Sequence, residues 1–276
     1  NFKFAKLFIV SRRKINFKGV KTLKDLEEIK KVNPKYIIVA TETSRHFSDL
    51  AFLEKNFKNV KILVEKPLFH KKKKIQIKNN KVFVGYNLRF HPAIIFMKKF
   101  IKKNRAIDIK FITNSYLPSW RKRSYSSNYA AKKNGGGVIL DLSHEIDLAI
   151  WLFGPLKINY SMFGKYSKLN IKVEDNLKLI GRFKKSHFFM DISYYSKNEI
   201  RNIYIDSNKN SLLIDLKNNI IKVNSKKIKK SQRNYNIEQT YLSLHKAIIS
   251  NKNIKNVCSY KEGIKVLDLT DKIKSQ

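Results

Sequence analysis

The chain has 276 residues, 42% of them hydrophobic, a single cysteine and a formal net charge of +38. That length supports a large core divided between two domains. The lone Cys258 excludes an intramolecular disulfide framework and suits a reducing cytoplasm. No stretch approaches the ~18 apolar residues of a membrane span and no secretory leader is visible, so a soluble protein with no membrane partner is expected. A charge this basic is the usual footprint of nucleic-acid binding. Here, however, the lysines are scattered among Asn and Ile, with only brief runs such as residues 71–74. Dispersed, solvated charge is therefore expected, with no specific nucleic-acid partner. A basic field that attracts anionic substrates, phosphates or polyanions is the alternative.

In chain order, residues 6–10 read as a strand and residues 22–31 as a short amphipathic helix. Residues 36–40 form the next buried strand, followed by a helix over 44–56, a strand over 60–64 and another over 81–85. This alternation predicts a Rossmann-type, doubly wound parallel sheet, an α/β fold. His91 and Pro92 open a helix leading to a second region. There the pattern turns to strands, at 107–113, 158–165, 176–183, 188–195, 200–206, 211–215 and 220–223, as in an α+β domain with a large, mostly antiparallel sheet. Helices near 238–250 and 261–274 close the chain. The expected division is residues 1–90 for a partial nucleotide-binding domain. Residues 91–276 then form a substrate and oligomerisation domain whose last helices pack back on the first.

No G-x-G-x-x-G occurs, and the chain begins just ahead of what reads as the second strand of a dinucleotide-binding fold. The first strand of such a fold is central, so its sheet is expected to contain a slot. The sequence is read as N-terminally incomplete, with a true loss of cofactor binding as the alternative.

Two segments carry the chemistry. Glu65-Lys66-Pro67 closes the apolar run 60–64, and open α/β sheets bind ligands at the carboxyl ends of their strands. Gly135-Gly136-Gly137 lets the main chain turn tightly ahead of an apolar helix in which Asp141 and His144, three apart, share a face. A histidine exchanges protons near neutral pH, and a neighbouring carboxylate would raise its pKa, so His144 is a candidate general base. Taken singly, a strand-end lysine is usually solvated, Asp141 could cap a helix, and a histidine on an apolar helix is usually hydrogen-bonded in a core. The combination favours catalysis.

With these segments the chain resembles the glucose-fructose oxidoreductase and inositol dehydrogenase family, also called Gfo/Idh/MocA. The matching pieces run in the family's order: Ile38-Val39-Ala40-Thr41-Glu42-Thr43-Ser44-Arg45-His46, Val64-Glu65-Lys66-Pro67-Leu68, Val84-Gly85-Tyr86-Asn87-Leu88-Arg89-Phe90-His91-Pro92, and the glycine segment continued to Gly154. The resemblance implies an NAD(P)-dependent oxidoreductase that moves a hydride between a nicotinamide and a sugar, sugar derivative or polyol. It assigns Lys66, His144 and Asp141 to catalysis. Ala40, Thr41, Thr43 and His46 would line the adenosine and diphosphate-ribose path, Glu65 and Lys66 the nicotinamide, and Asn87 and Arg89 its far side. Glu42 departs from the family's usual proline, and the Asp141 to His144 spacing is one residue shorter than is common there.

NAD-preferring folds place an acid at the end of the second strand, whereas Ser11, Arg12 and Arg13 stand here. Two guanidinium groups suit a 2′-phosphate, which favours NADP over NAD. An ordinary basic turn is the alternative. Trp120, Arg121 and Tyr129 are the expected substrate contacts beside Lys66, Asp141 and His144, with Trp120 able to stack on a sugar ring and Arg121 to bind a carboxylate or phosphate. No metal site is expected, and the resemblance implies a homo-oligomer. Alternatives of function are a cofactor-recycling glycosidase or eliminase of the same fold, and a non-catalytic cofactor- or polyanion-binding protein.

Overall fold

The computed structural model describes residues 6–11, 17–120, 124–230 and 236–275. Its first two strands, β1 (Leu7–Val10) and β2 (Val20–Leu23), pair in parallel with each other. The helix expected over 22–31 is a correction. Residues 20–23 alternate, bury Leu23 and take their hydrogen bonds from β1, so helicity survives only as the short 3-10 turn Glu27–Lys31, which buries Ile29.

β3 (Tyr36–Val39), α1 (His46–Asn56), β4 (Lys61–Val64) and β5 (Lys81–Val84) continue the alternation, with β3, β4 and β5 parallel in that order. Ile62, Leu63 and Val64 are completely buried, because a strand covered on both faces has no polar side. Among the described residues, β1 and β2 form one sheet and β3 to β5 another, with no hydrogen-bonded ladder joining them. Leu7 and Ile38, on these two separate sheets, are 56% and 47% exposed.

His91 caps α2 (Pro92–Lys103) by accepting from the Ala93 amide through Nδ1, and Pro92 fits the first helical position, where no amide donor is needed. Then follow β6 (Ala106–Tyr116), α3 (Val138–Asp141), α4 (Ser143–Phe153), β7 (Lys157–Gly164), β8 (Asn176–Phe183), β9 (Ser186–Ser193), β10 (Tyr195–Ser207), β11 (Ser211–Asp215), β12 (Ile220–Val223) and β13 (Lys226–Lys230). They build an eight-stranded sheet in the order β13-β12-β11-β10-β6-β9-β8-β7, antiparallel except for the central β6–β9 pair. The alternation along these strands is clean. Phe111, Leu177, Leu179, Phe188, Met190 and Ile203 point into the core, while Tyr160, Met162 and Ile180 stay on the outer face.

The larger departures from expectation lie in β6, β10 and β13. β6 runs on to Tyr116, Tyr195 opens β10 rather than closing β9, and β13 was not anticipated. After α5 (Glu238–Ser250), the short β14 (Cys258–Ser259) pairs antiparallel with β5, and α6 (Tyr260–Lys274) starts from a capping box between Ser259 and Glu262. The end of the chain thus returns to the sheet of β3, β4 and β5. One continuous apolar cluster takes in residues of all three sheets, and no described helix is long and apolar enough to cross a membrane.

Candidate active site

Lys66 leaves β4 at its carboxyl end and is 15% exposed. Its Nζ donates to the main-chain oxygen of Asp141 at 2.6 Å and to Oδ1 of the same residue at 2.9 Å. Asp141 is almost fully buried and is also bonded by the hydroxyls of Tyr129, on Oδ1, and Tyr194, on Oδ2 at 3.1 Å. Burial alone would push this carboxyl up. The Lys66 charge and the three side-chain donors outweigh it and hold the pKa below the usual value. Residues 75 apart in sequence thus form one buried ion pair.

The glycines explain how Asp141 reaches that position. A Cβ on Gly136 would lie 2.4 to 2.7 Å from the main-chain oxygens of Tyr129, Lys132 and Ala130, and one on Gly137 would meet the Glu174 carboxylate. Gly135, at φ +98°, packs so closely that a Cβ would come within 2.8 Å of Thr43 Cβ. This tight turn seats α3 against the turn that follows β3.

The sequence places Asp141 and His144 on one continuous helix. The structure corrects this: Leu142, at φ −91° and ψ 24°, breaks the helix between α3 and α4. The Asp141 carboxylate turns to Lys66, and no described hydrogen bond joins it to His144. His144 is 9% exposed, packs edge-on against Tyr86 and has a buried Nδ1 without a partner. Its pKa is therefore lowered, not raised. Burial is the main cause, and the charges of Lys66 and Arg201 add to it, so the ring is neutral at neutral pH.

The other expected residues divide into two groups. Ala40 and Thr41 are exposed at the carboxyl end of β3, and Glu65 is half-buried beside Gly85, where a Cβ would crowd its carboxyl group. Burial raises the Glu65 pKa, opposed by the Lys66 amide and ammonium. Thr43 lies beneath Gly135. Trp120 stands edge-on to Tyr194, so it adjoins the Asp141 network through that ring.

Three of the expected contacts turn inward instead. The ring nitrogens of His46 lie 3.0 and 3.1 Å from the main-chain oxygens of Pro67 and Thr41, which ties the turns after β3 and β4 together. Asn87 is buried and donates to Thr240. Arg89 is 1% exposed, grips Asp147 with two bonds of 2.9 and 2.6 Å and reaches Glu262 at 2.8 Å. These side chains hold the site's scaffold. Burial opposes the Arg89 charge, but Asp147 and its neighbours more than offset it and raise its pKa. Ser11 is half-buried, with its amide bonded to Leu23, whereas Arg12, Arg13 and Arg121 lie outside the described residues.

Residues 98–273 match the family described as "Oxidoreductase family, C-terminal alpha/beta domain" of the Gfo/Idh/MocA proteins. The chain belongs to the Gfo/Idh/MocA oxidoreductase family.

Solved structures share this fold. UDP-N-acetylglucosamine 3-dehydrogenase GnnA from Acidithiobacillus ferrooxidans superposes with a TM-score of 0.73 at 15% identity, over 93% of this chain and 82% of that one. The WlbA dehydrogenase from Bordetella pertussis, in complex with NADH and UDP-GlcNAcA, gives 0.73 at 16% over 93% and 81%. A levoglucosan dehydrogenase, in complex with NADH and levoglucosan, gives 0.79 at 16% over 98% and 88%. No curated protein matches by sequence.

Within this family frame, the sequence reading missed Tyr194, Tyr86, Glu145 and Arg201. Thr113 Oγ1 and Arg201 Nε both donate to Glu145 Oε1, at 2.9 and 2.8 Å, directly beside His144. Tyr86 and Glu145 stood inside matched segments, whereas Tyr194 lies between β9 and β10 and Arg201 within β10, where nothing in the local pattern distinguishes them. Among the described residues, no group of His, Cys, Asp and Glu is arranged to hold a metal ion.

Proposed function

We propose that the chain serves an NAD(P)-dependent dehydrogenase acting on a hydroxyl-bearing carbon of a sugar, sugar derivative or polyol. The observation that carries this reading is the Lys66–Asp141 pair at the carboxyl end of β4, with neutral His144 close by. An ammonium has three donors, and Asp141 takes two of those on Lys66. The third is free to bond a substrate oxygen and stabilise negative charge developing there. Asp141 fixes the ammonium, and an unprotonated ring nitrogen of His144 takes the hydroxyl proton.

The donor set at the strand ends suits a nicotinamide nucleotide. Ala40 and Thr41 are exposed and Glu65 offers a half-buried carboxyl next to a glycine, so these residues and Lys66 would hold the cofactor. When bound, it supplies or accepts the hydride. The similar folds solved with NADH, together with UDP-GlcNAcA or levoglucosan, support both halves of the reading. Arg12 and Arg13 extend it to a preference for NADPH. The exposed Tyr160, Met162 and Ile180 on the outer sheet face extend it to a homo-oligomer.

The test is turnover by the protein containing this chain, screened with sugars, polyols and sugar acids and both nicotinamide cofactors. Lys66→Ala and His144→Ala should each lower kcat by about 10² or more while leaving cofactor affinity nearly intact. No turnover across the screen, or unchanged kcat in both variants, refutes the assignment.

A further inference from the structure

Beside the Lys66–Asp141 pair the inner face of the large sheet opens into a cavity of about 490 Å³, bordered by Leu142, the residue after Asp141. That volume lies within the range that holds a drug-sized ligand. Trp120, Ser115 and Ser119 form part of its wall, and Arg201 and Lys217 bring two cations to it. A second cavity of about 230 Å³ shares Arg201, Leu216, Lys217 and Ile237 with the first. The two cations therefore stand where the cavities meet.

The pairing of these cations is incomplete or weak. Arg201 sits opposite Thr113 on the adjacent strand and meets Glu145 through Nε alone, although a carboxylate can engage a guanidinium at two points. Its Nη2 is buried with no acceptor. A guanidinium carries five donors, and an unanswered one inside a protein calls for an explanation. Lys217 contacts Glu199 at 3.1 Å, but the two side chains are 48% and 31% exposed. Such a pair contributes little and is readily exchanged for a stronger acceptor. Ser119 already bonds the other Glu199 oxygen at 2.8 Å, so that carboxylate keeps a partner if Lys217 turns away.

We propose that the substrate is an anionic sugar derivative whose carboxylate or phosphoryl group is bound by Arg201 and Lys217 in this cavity, with its ring against Trp120. The proposal rests on the reading of the protein as a sugar dehydrogenase. It excludes neutral sugars and polyols as preferred substrates.

Calorimetric binding without cofactor, using glucose 1-phosphate, glucuronate and glucose as probes, tests it. At least one anion should bind about tenfold or more tightly than glucose, and which anion prevails identifies the group recognised. Arg201→Lys keeps a cation beside Glu145 but loses the planar fork, and Lys217→Gln removes a half-exposed charge. Each should reduce the preference about threefold or more, and together they should bring the anions to parity with glucose. Parity in the unmutated protein, failure of both anions to bind, or a preference that survives the double substitution overturns the proposal. Anion preference without hydride transfer overturns the dehydrogenase reading but supports the subsite. Turnover confined to neutral sugars does the reverse.

Discussion

Replacing Arg89 by Met tests whether this residue is scaffold or cofactor contact. Arg89 and Asp147 are each 1% exposed and joined by two short bonds, so the substitution strands a carboxylate in the interior with its main partner gone. Removing one member of a buried pair costs about 3–5 kcal/mol. In a protein of this size that corresponds to a fall in Tm on the order of 10 °C. Glu262→Gln should cost only about 1 kcal/mol or less, because that carboxylate is 34% exposed. Arg89→Met combined with Asp147→Leu should recover most of the loss, since no fully buried charge is then left unpaired and Glu262 is 34% exposed. The deficit of the single variant should also shrink as pH falls, because the stranded carboxyl binds a proton more readily in the fold than in the unfolded chain. Urea unfolding followed by tryptophan fluorescence reads all of this, with Trp151 stacked 5.0 Å from the guanidinium. A cost below about 1 kcal/mol for Arg89→Met, or no recovery in the double variant, would refute the reasoning.

Two other perturbations follow from the geometry. Gly136→Ala should destabilise by about 3 kcal/mol, because the added methyl meets three main-chain oxygens that cannot rotate away. Gly19→Ala, with open space around it, should cost only about 1 kcal/mol for its positive φ, so equal urea midpoints for the two would contradict the account. The His91 pKa is lowered to about 4, chiefly by burial, with the Asn219 hydrogen bond opposing and the Arg201 charge adding to the shift. A folded pKa below the unfolded value means that stability is complete above about pH 6.5 and is lost as pH falls toward 4, by about 3 kcal/mol for this ring. His91→Asn can keep the cap on α2 while removing the titration. Its unfolding free energy should therefore fall less steeply between about pH 7 and pH 4, and identical slopes would count against the assignment.

The regular elements were legible where one local signal dominated. The buried run of β4 and the alternation of β8 each announce their strand, and the lysine after β4 is a ligand-facing position by topology alone. β13 was hidden because Lys226-Lys227-Ile228-Lys229-Lys230 has no apolar face. Its signal lay in the turn, where Asn224 and Ser225 both adopt positive φ in a two-residue hairpin. Lys66, Asp141 and His144 could be assigned to one site, but which of them pair could not. A spacing of three suggested that Asp141 serves His144, and only the break at Leu142 turns the carboxylate elsewhere. The inward turn of Arg89 was hidden for a related reason: whether a guanidinium faces outward or into the core depends here on Asp147 and Glu262, far along the chain.

The contact of Gly135 with Thr43 joins two turns far apart in the sequence. Thr43 opens the turn after β3, and Gly135 stands in the turn that leads to α3. With no room for a methyl between them, neither turn can advance, and neither can withdraw without opening a void. A ligand that favours one position of the β3 turn therefore changes the free energy of the glycine turn. By thermodynamic reciprocity, a ligand at the glycine turn acts back on the β3 turn by the same amount.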